Sequence, residues 1–413
     1  MDEKLLAKEL ETCLNKELIP FWEKLIDTEF GGFYGLMDND GNIDKKAPKG
    51  GILNSRILWF FSKAKKELFD DSLRPYMDSA FKLLINNFWD DEFGGIYWEL
   101  DHKGTPTDTT KHTYNQAFAI YGLCAYYDAT QDKRALERAI SLYELIEEKM
   151  RDDKGYLEAF GRDFSPVSNE KLSGNGVEAK RTMNTLLHIM EAYTELYRVT
   201  DESLYSEADF SSDIQALHGK VFSSLEEILG IIEEKIYNPK LKRQEVFFDG
   251  DYKSLIDLYS YGHDIESAWL INRAVDVLGD KDVAARTEPI INMLTEQVYK
   301  EAYRNNSIPT ECENGKVDGK RVWWVQAEAM TGFYNGYQKD SSKTEYLDAV
   351  FGIWEFIKKN LVNNKLHPSE WYWYVNEDGT PSYDEPIVEP WKCPYHNGRM
   401  CIEMISRIKF GKR

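Results

Sequence analysis

Apolar residues return every three or four positions in about twelve stretches of the chain, the period of a helix with one buried face. The pattern predicts helices over 3–19, 50–69, 72–88, 112–130, 132–150, 180–200, 212–236, 259–278, 281–299, 321–339, 342–360 and 395–408. Short turns such as FDDS (69–72) join some neighbours, and longer Gly- and aromatic-rich stretches separate others. No strand–helix alternation appears and no low-complexity linker divides the chain, so residues 1–413 are expected to form a single all-α domain.

One connecting stretch repeats. EFGGFY (29–34) and EFGGIY (92–97) lie 63 residues apart, the turns DNDG (38–41) and DHKG (101–104) keep that offset, and WYWYVNEDG (371–379) echoes them. Self-similarity at such a period marks stacked supersecondary units. Six helical hairpins of this length fill 413 residues and can close into a ring of six inner and six outer helices. The expected fold is therefore an (α/α)6 barrel with short β-hairpin loops. An open solenoid is the alternative, but it calls for polar capping repeats that the chain lacks.

Every second predicted helix carries polar chemistry inside an apolar pattern. The second holds Arg56, the fourth Tyr114, and the sixth Asn184 and His188. The eighth, YGHDIESAWLI, holds His263, Glu266 and Trp269; the tenth holds Trp323, Trp324 and Glu328; Trp391 and His396 open the twelfth. The odd helices are ordinary amphipaths. In a double ring the alternate helices are the inner ones, so these groups would converge on a central cavity, apolar with a few polar anchors. Asn184 with His188 (i, i+4) and His263 with Glu266 (i, i+3) each share a helix face.

Composition narrows the function. The formal charge is −20 and no basic run forms a patch, which excludes nucleic acid and anionic membrane as partners. Five cysteines with no CxxC pair argue against a disulfide framework or a zinc ribbon. The acidic, amphipathic MDEKLLAKELETCL does not read as a signal peptide, and no apolar run reaches membrane-spanning length. A cytoplasmic protein is expected, as a monomer or weak homodimer. His188-x-x-Glu191 and His263-x-x-Glu266 have metal-motif character but run opposite to the Glu-x-x-His order of di-iron bundles. With no HExxH, G-x-G-x-x-G or P-loop pattern, no metal and no cofactor are expected.

The ordered set KGGILNSRILWFFS, KHTYNQAFAIYGL, RTMNTLLHIMEAYTELYR, YGHDIESAWL, WWVQAEAM and WKCPYHNGRM resembles the cellobiose 2-epimerases of the N-acylglucosamine 2-epimerase superfamily, almost from end to end. The resemblance implies an isomerase that inverts C2 of the reducing sugar in a β-1,4-linked disaccharide such as cellobiose, lactose or mannobiose. One departure stands out: the family's Asn-Thr-His-Leu-His reads Asn-Thr-Leu-Leu-His here, with Leu186 at the first His.

On that resemblance His263 and His396 become the acid–base pair at C2, with Glu266 orienting or polarising His263. His188 opens the hemiacetal ring and Arg56 steadies the developing oxyanion. Trp324 and Trp391 become stacking walls, Tyr114, Asn184 and Glu328 hold hydroxyls, and Trp269 and Trp323 are further lining candidates. Mannobiose 2-epimerase, N-acylglucosamine 2-epimerase and aldose–ketose isomerase are alternatives on the same scaffold. An inverting glycoside hydrolase would need Glu266 and Glu328 about 6.5–9.5 Å apart. A non-enzymatic carbohydrate-binding protein would bind sugar without exchanging a C–H proton.

Overall fold

A computed structural model describes residues 1–172, 175–201 and 212–411. Twelve long helices lie among the described residues. The first six are α1 (Glu3–Thr12), α2 (Gly51–Leu68), α3 (Arg74–Leu83), α4 (Thr113–Thr130), α5 (Lys133–Lys149) and α6 (Met183–Val199). The others are α7 (Ser212–Ile231), α8 (Tyr261–Leu278), α9 (Lys281–Glu301), α10 (Trp323–Lys339), α11 (Thr344–Phe356) and α12 (Tyr395–Phe410). None is long and apolar enough to cross a membrane.

The even helices form a closed inner ring: α2 packs on α4, then α6, α8, α10 and α12 follow in turn, and α12 returns to α2. Each odd helix covers one of them from outside, and α1 fills the outer place beside α12. This is the expected (α/α)6 barrel. The two rings differ in sequence for a physical reason. From Gly51 to Ala64 every residue of α2 is buried, as is every residue of α4 from Thr113 to Tyr127, because an inner helix is enclosed by neighbours on all sides. In α5 only Ala135, Leu136, Ala139, Leu142, Tyr143 and Ile146 are buried, one stripe at i, i+3, i+4 spacing. Each such leucine or isoleucine contributes about 1.5–3 kcal/mol by leaving water. Inner helices also approach closely: a Cβ on Gly122 would stand 2.6 Å from the Ser55 carbonyl oxygen.

The first helical run exceeds its expected end at residue 19. Pro20 would ordinarily stop a helix, since it lacks an N–H and its ring crowds the preceding turn. Here a wide π turn, Cys13–Leu18, precedes it and the chain continues helical through Ile19–Glu23. Similar π turns, Leu84–Phe88, Ile232–Ile236 and Ile357–Leu361, end the runs of α3, α7 and α11.

At one end of the barrel α2, α4 and α8 pass to the following outer helices by tight turns. Phe69, Gln131 and Gly279 take left-handed conformations there, and Asp132 and Asp280 accept N-cap hydrogen bonds for α5 and α9. Among the described residues the long loops gather at the other end, where the inner helices begin. Their short strands pair in succession around the mouth. Lys49–Gly50 pairs with Glu99–Leu100, Lys111–His112 with Ala159–Phe160, Arg181–Thr182 with Phe247–Phe248, Leu258–Ser260 with Glu311–Glu313, and Arg321–Val322 with Tyr374–Val375. A bridge between Met37 and Val388 joins the first loop to the last.

The repeat fixes these loops from below. Buried ion pairs Asp27–Lys49, Asp90–Lys111 and Glu370–Lys392 tie the loop after an outer helix to a lysine two or three residues before the next inner one. Five positions beyond that residue stand Asn54, Gln116, Leu186, Asp264, Gln326 and Asn397. Asn54, Gln116, Asp264 and Gln326 each accept a backbone N–H from the preceding loop, and Asn397 donates to Glu370. Leu186 cannot. In that unit the loop carboxylate Glu158 reaches the other way, accepting from Thr182 N–H and Thr185 Oγ1.

Candidate active site

The same register defines a second face. Counted from Lys49, Lys111, Arg181, Tyr259, Arg321 and Lys392, the seventh following positions are Arg56, Phe118, His188, Glu266, Glu328 and Arg399. One turn nearer the mouth, at the third and fourth positions, stand Tyr114, Asn184, His263, Trp324, Tyr395 and His396. Offsets of three, four and seven share one helix face, so six helices of one repeat aim their chemistry at the axis.

There they enclose a cavity of about 200 Å³. Arg56, Tyr114, Asn184, His188, His263, Glu266, Trp323, Trp324, Trp391 and His396 all line it, together with Trp373. A larger space of about 680 Å³ lies among the loops beside Glu158, and one of about 260 Å³ opens at the opposite end among Lys63, Arg198 and Arg273. Neither has an imidazole in its wall, so chemistry singles out the axial cavity over size.

Each of the three imidazoles is held through Nδ1, which leaves Nε2 for a ligand. His188 Nδ1 is 2.9 Å from Glu191 Oε2, His263 Nδ1 is 2.7 Å from Ser260 Oγ, and His396 Nδ1 is 2.7 Å from Glu328 Oε1. Burial lowers the proton affinity of all three. His263 falls to about 3 through burial and the neighbouring His188, and His396 falls well below the usual range through burial, Arg56 and Arg399. For His188 burial outweighs the nearby Glu191 carboxylate. At neutral pH the three imidazoles are therefore uncharged. The Trp324 ring lies 4.7 Å from His263 and 5.5 Å from His396.

Behind them Arg399 gathers three carboxylates from three helices. It donates through Nη2 to Glu266 Oε1 (2.5 Å) and Glu328 Oε1 (2.7 Å), and through Nη1 to Glu191 Oε1. Trp269 Nε1 donates to Glu328 Oε2 at 2.9 Å, and Tyr395 OH to Glu191 Oε2 at 2.5 Å. Burial pushes Glu191 up, but Arg399 and His188 pull it down to about 2. Across the cavity, Arg56 has no carboxylate within its hydrogen bonds. Its Nη2 donates to Tyr114 OH (2.7 Å), its Nη1 to the Trp391 carbonyl (3.3 Å), and its plane lies 4.1 Å from the Phe118 ring. A guanidinium paired this way keeps its charge available to a ligand anion.

Two expectations change. Glu266 does not hold His263, because Arg399 reaches it from α12 as the stronger partner and Ser260 takes the imidazole. Trp269 and Glu328 stand behind the cavity wall, bonded to each other, and Glu328 reaches the cavity only as the partner of His396 Nδ1. Glu191, Tyr395, Arg399 and Trp373 carried no assigned role in the sequence reading. Arg399 and Tyr395 were detectable from the repeat offset, and Glu191 from its i, i+3 spacing to His188. Trp373 lies in the WYWYVNEDG echo of the loop repeat, with its ring 3.9 Å from that of Trp323, outside the helical period that marks the inner-helix residues. Glu266, Glu328 and His396 are close enough to share a cation, but Nη2 of Arg399 already supplies positive charge to both carboxylates. Oxygens of Glu266 and Glu328 also lie within 4.8 Å of one another, too close for the water of an inverting hydrolase.

Residues 32–397 match the family model of N-acylglucosamine 2-epimerase (GlcNAc 2-epimerase). The chain is 48% identical over 399 residues to a cellobiose 2-epimerase of Eubacterium cellulosolvens, covering 96% of this chain and 98% of that one. Among solved structures, a sugar epimerase from a ruminal bacterium superposes with a TM-score of 0.91 at 43% identity, covering 97% of this chain and 99% of that one. A cellobiose 2-epimerase from Bacillus thermoamylovorans B4167 gives 0.90 at 40% identity, covering 98% and 100%.

Proposed function

The chain belongs to the N-acylglucosamine 2-epimerase family, and from that premise we propose that this sugar epimerase acts on cellobiose, converting its reducing glucose to mannose. The observation that carries the reading is the set of three imidazoles, His188, His263 and His396, each fixed through Nδ1 on one small cavity. A volume of about 200 Å³ suits one sugar unit, with the second at the loop-lined mouth.

Epimerisation at C2 needs an open chain, removal of the C2 proton beside the aldehyde, and a proton returned to the opposite face. His188 serves the first step, moving the proton between O1 and O5. His263 and His396 serve the other two. One neutral Nε2 takes the C2 proton to give an enediolate, and the other ring, which takes up a proton from solvent as the sugar binds and is an imidazolium in the complex, returns a proton to the far side. The roles exchange when the reaction reverses, so the pair works with one proton between its two rings. Neutral, buried imidazoles are competent bases at neutral pH. Arg56 faces the developing oxyanion, a contribution of about 3–4 kcal/mol for a well-placed donor. Tyr114 and Asn184 hold hydroxyls, and Trp323, Trp324, Trp373 and Trp391 supply apolar walls.

Five free cysteines suit a reducing cytoplasm. Incubation with cellobiose, mannobiose and N-acylglucosamine, with products separated by chromatography, tests the reading. Glucosyl-mannose from cellobiose is expected. Free glucose would mean hydrolysis, and turnover of N-acylglucosamine alone would move the substrate away from disaccharides.

A further inference from the structure

Three carboxylates meet one guanidinium in a water-poor core, so their charges do not balance. Counting donors shows where a proton fits. Both oxygens of Glu328 are occupied, Oε1 by His396 and Arg399 and Oε2 by Trp269. Both oxygens of Glu191 are occupied, Oε1 by Arg399 and Oε2 by His188 and Tyr395. Glu266 accepts from Arg399 at Oε1 alone; its Oε2 is buried and meets no protein donor. Only there can a proton sit without displacing a hydrogen bond, and Glu266 is the one of the three carboxylates in the cavity wall.

We propose that Glu266 carries a proton on Oε2 at neutral pH and, as a neutral acid, donates a hydrogen bond to the sugar oxygen that gains charge when C2 is deprotonated. The second half rests on the epimerase reading above; the first does not. No proton is transferred: the O–H bond stays on Glu266, and its dipole offsets the enediolate charge. A carboxylic acid kept neutral for this purpose is a known catalytic device. The groups facing Glu266 are Glu328 on α10, Glu191 and His188 on α6, Arg399, His396 and Tyr395 on α12, Tyr114 on α4 and Arg56 on α2, with His263 one turn away on α8 itself. Burial and the Glu328 charge raise Glu266 well above the ordinary carboxylate range, and Arg399 only partly opposes them.

The sign follows. On this proposal Glu266 loses its proton as pH rises through its raised folded value, so the donor fails on the alkaline side. Glu266→Gln keeps a neutral donor of similar shape, whereas Glu266→Leu removes it. With cellobiose as the probe, kcat of Glu266→Leu is expected to fall about 100- to 1000-fold. Glu266→Gln should stay well above it and lose the wild-type alkaline limb. Infrared difference spectra of the sugar-free protein at pH 7, wild type minus either variant, should contain a protonated-carboxyl C=O band, and either variant suffices if the other fails to fold. A carboxylate band in its place would overturn the proposal, as would Glu266→Gln being as slow as Glu266→Leu. Because the spectrum involves no sugar, a protein that showed the band but left cellobiose unchanged would overturn the substrate reading and the donor role while leaving the proton on Glu266.

Discussion

Three different groups hold the cavity's imidazoles: a carboxylate on the same helix for His188, a hydroxyl for His263, and a carboxylate from α10 for His396. What the rings share is burial, and burial sets their charge. His263 has a folded value of about 3 against an ordinary 6.5, so on acidification the unfolded chain takes up its proton first. Its contribution to stability is complete above pH 6.5 and is lost as pH falls towards 3. Raised carboxyls such as Glu158 and Glu389, both near 7, push the other way in part of that window, so the test must isolate one site. His263→Gln removes this titration. Calorimetry at pH 7 and pH 4.5 is expected to show the Tm of His263→Gln gaining on wild type as pH falls. A pH-independent difference would contradict the assignment.

At the scale of elements, the inner ring depends on close helix approach. Gly122 on α4 faces the Ser55 carbonyl on α2, and Gly332 on α10 faces Ile265 on α8, where an added Cβ would stand 2.5 Å from Ile265 Cγ1. Gly122→Ala sets a methyl against backbone that cannot yield, and denaturant unfolding is expected to show a loss of about 1–3 kcal/mol. The helices themselves were legible in sequence, because a 3.6-residue period survives wherever one face is buried. Inner and outer places were legible because every second helix carries polar chemistry inside an apolar pattern while the odd helices are ordinary amphipaths. The end of the first helix was not, since the π turn before Pro20 is a backbone adjustment with no sequence period. Nor were the partners of Glu266: spacing shows that it shares a face with His263, but a helix face does not reveal that Arg399 reaches in from α12. Trp269 and Glu328 show the same limit, since both belong to inner helices while their depth behind the wall depends on neighbouring helices.

Across the whole molecule, one structural unit is used six times, with loops gathered at one end and the reacting groups just below them. The first outer helix closes the ring against the last inner one, and the Met37–Val388 bridge closes the loops above it. Closure is what turns six separate helix faces into one cavity with His263 of α8 and His396 of α12 in its wall, and the proposed mechanism pairs these two across the substrate. That pairing is the central claim. It is tested most directly by proton NMR of cellobiose in D2O with wild type, His263→Ala and His396→Ala. The wild type is expected to replace the C2 proton of the reducing glucose by deuterium as glucosyl-mannose forms, and each variant to slow that exchange by about 100- to 10 000-fold while keeping its helical circular dichroism. Epimerisation without deuterium at C2, or near-normal exchange in either variant, would contradict it.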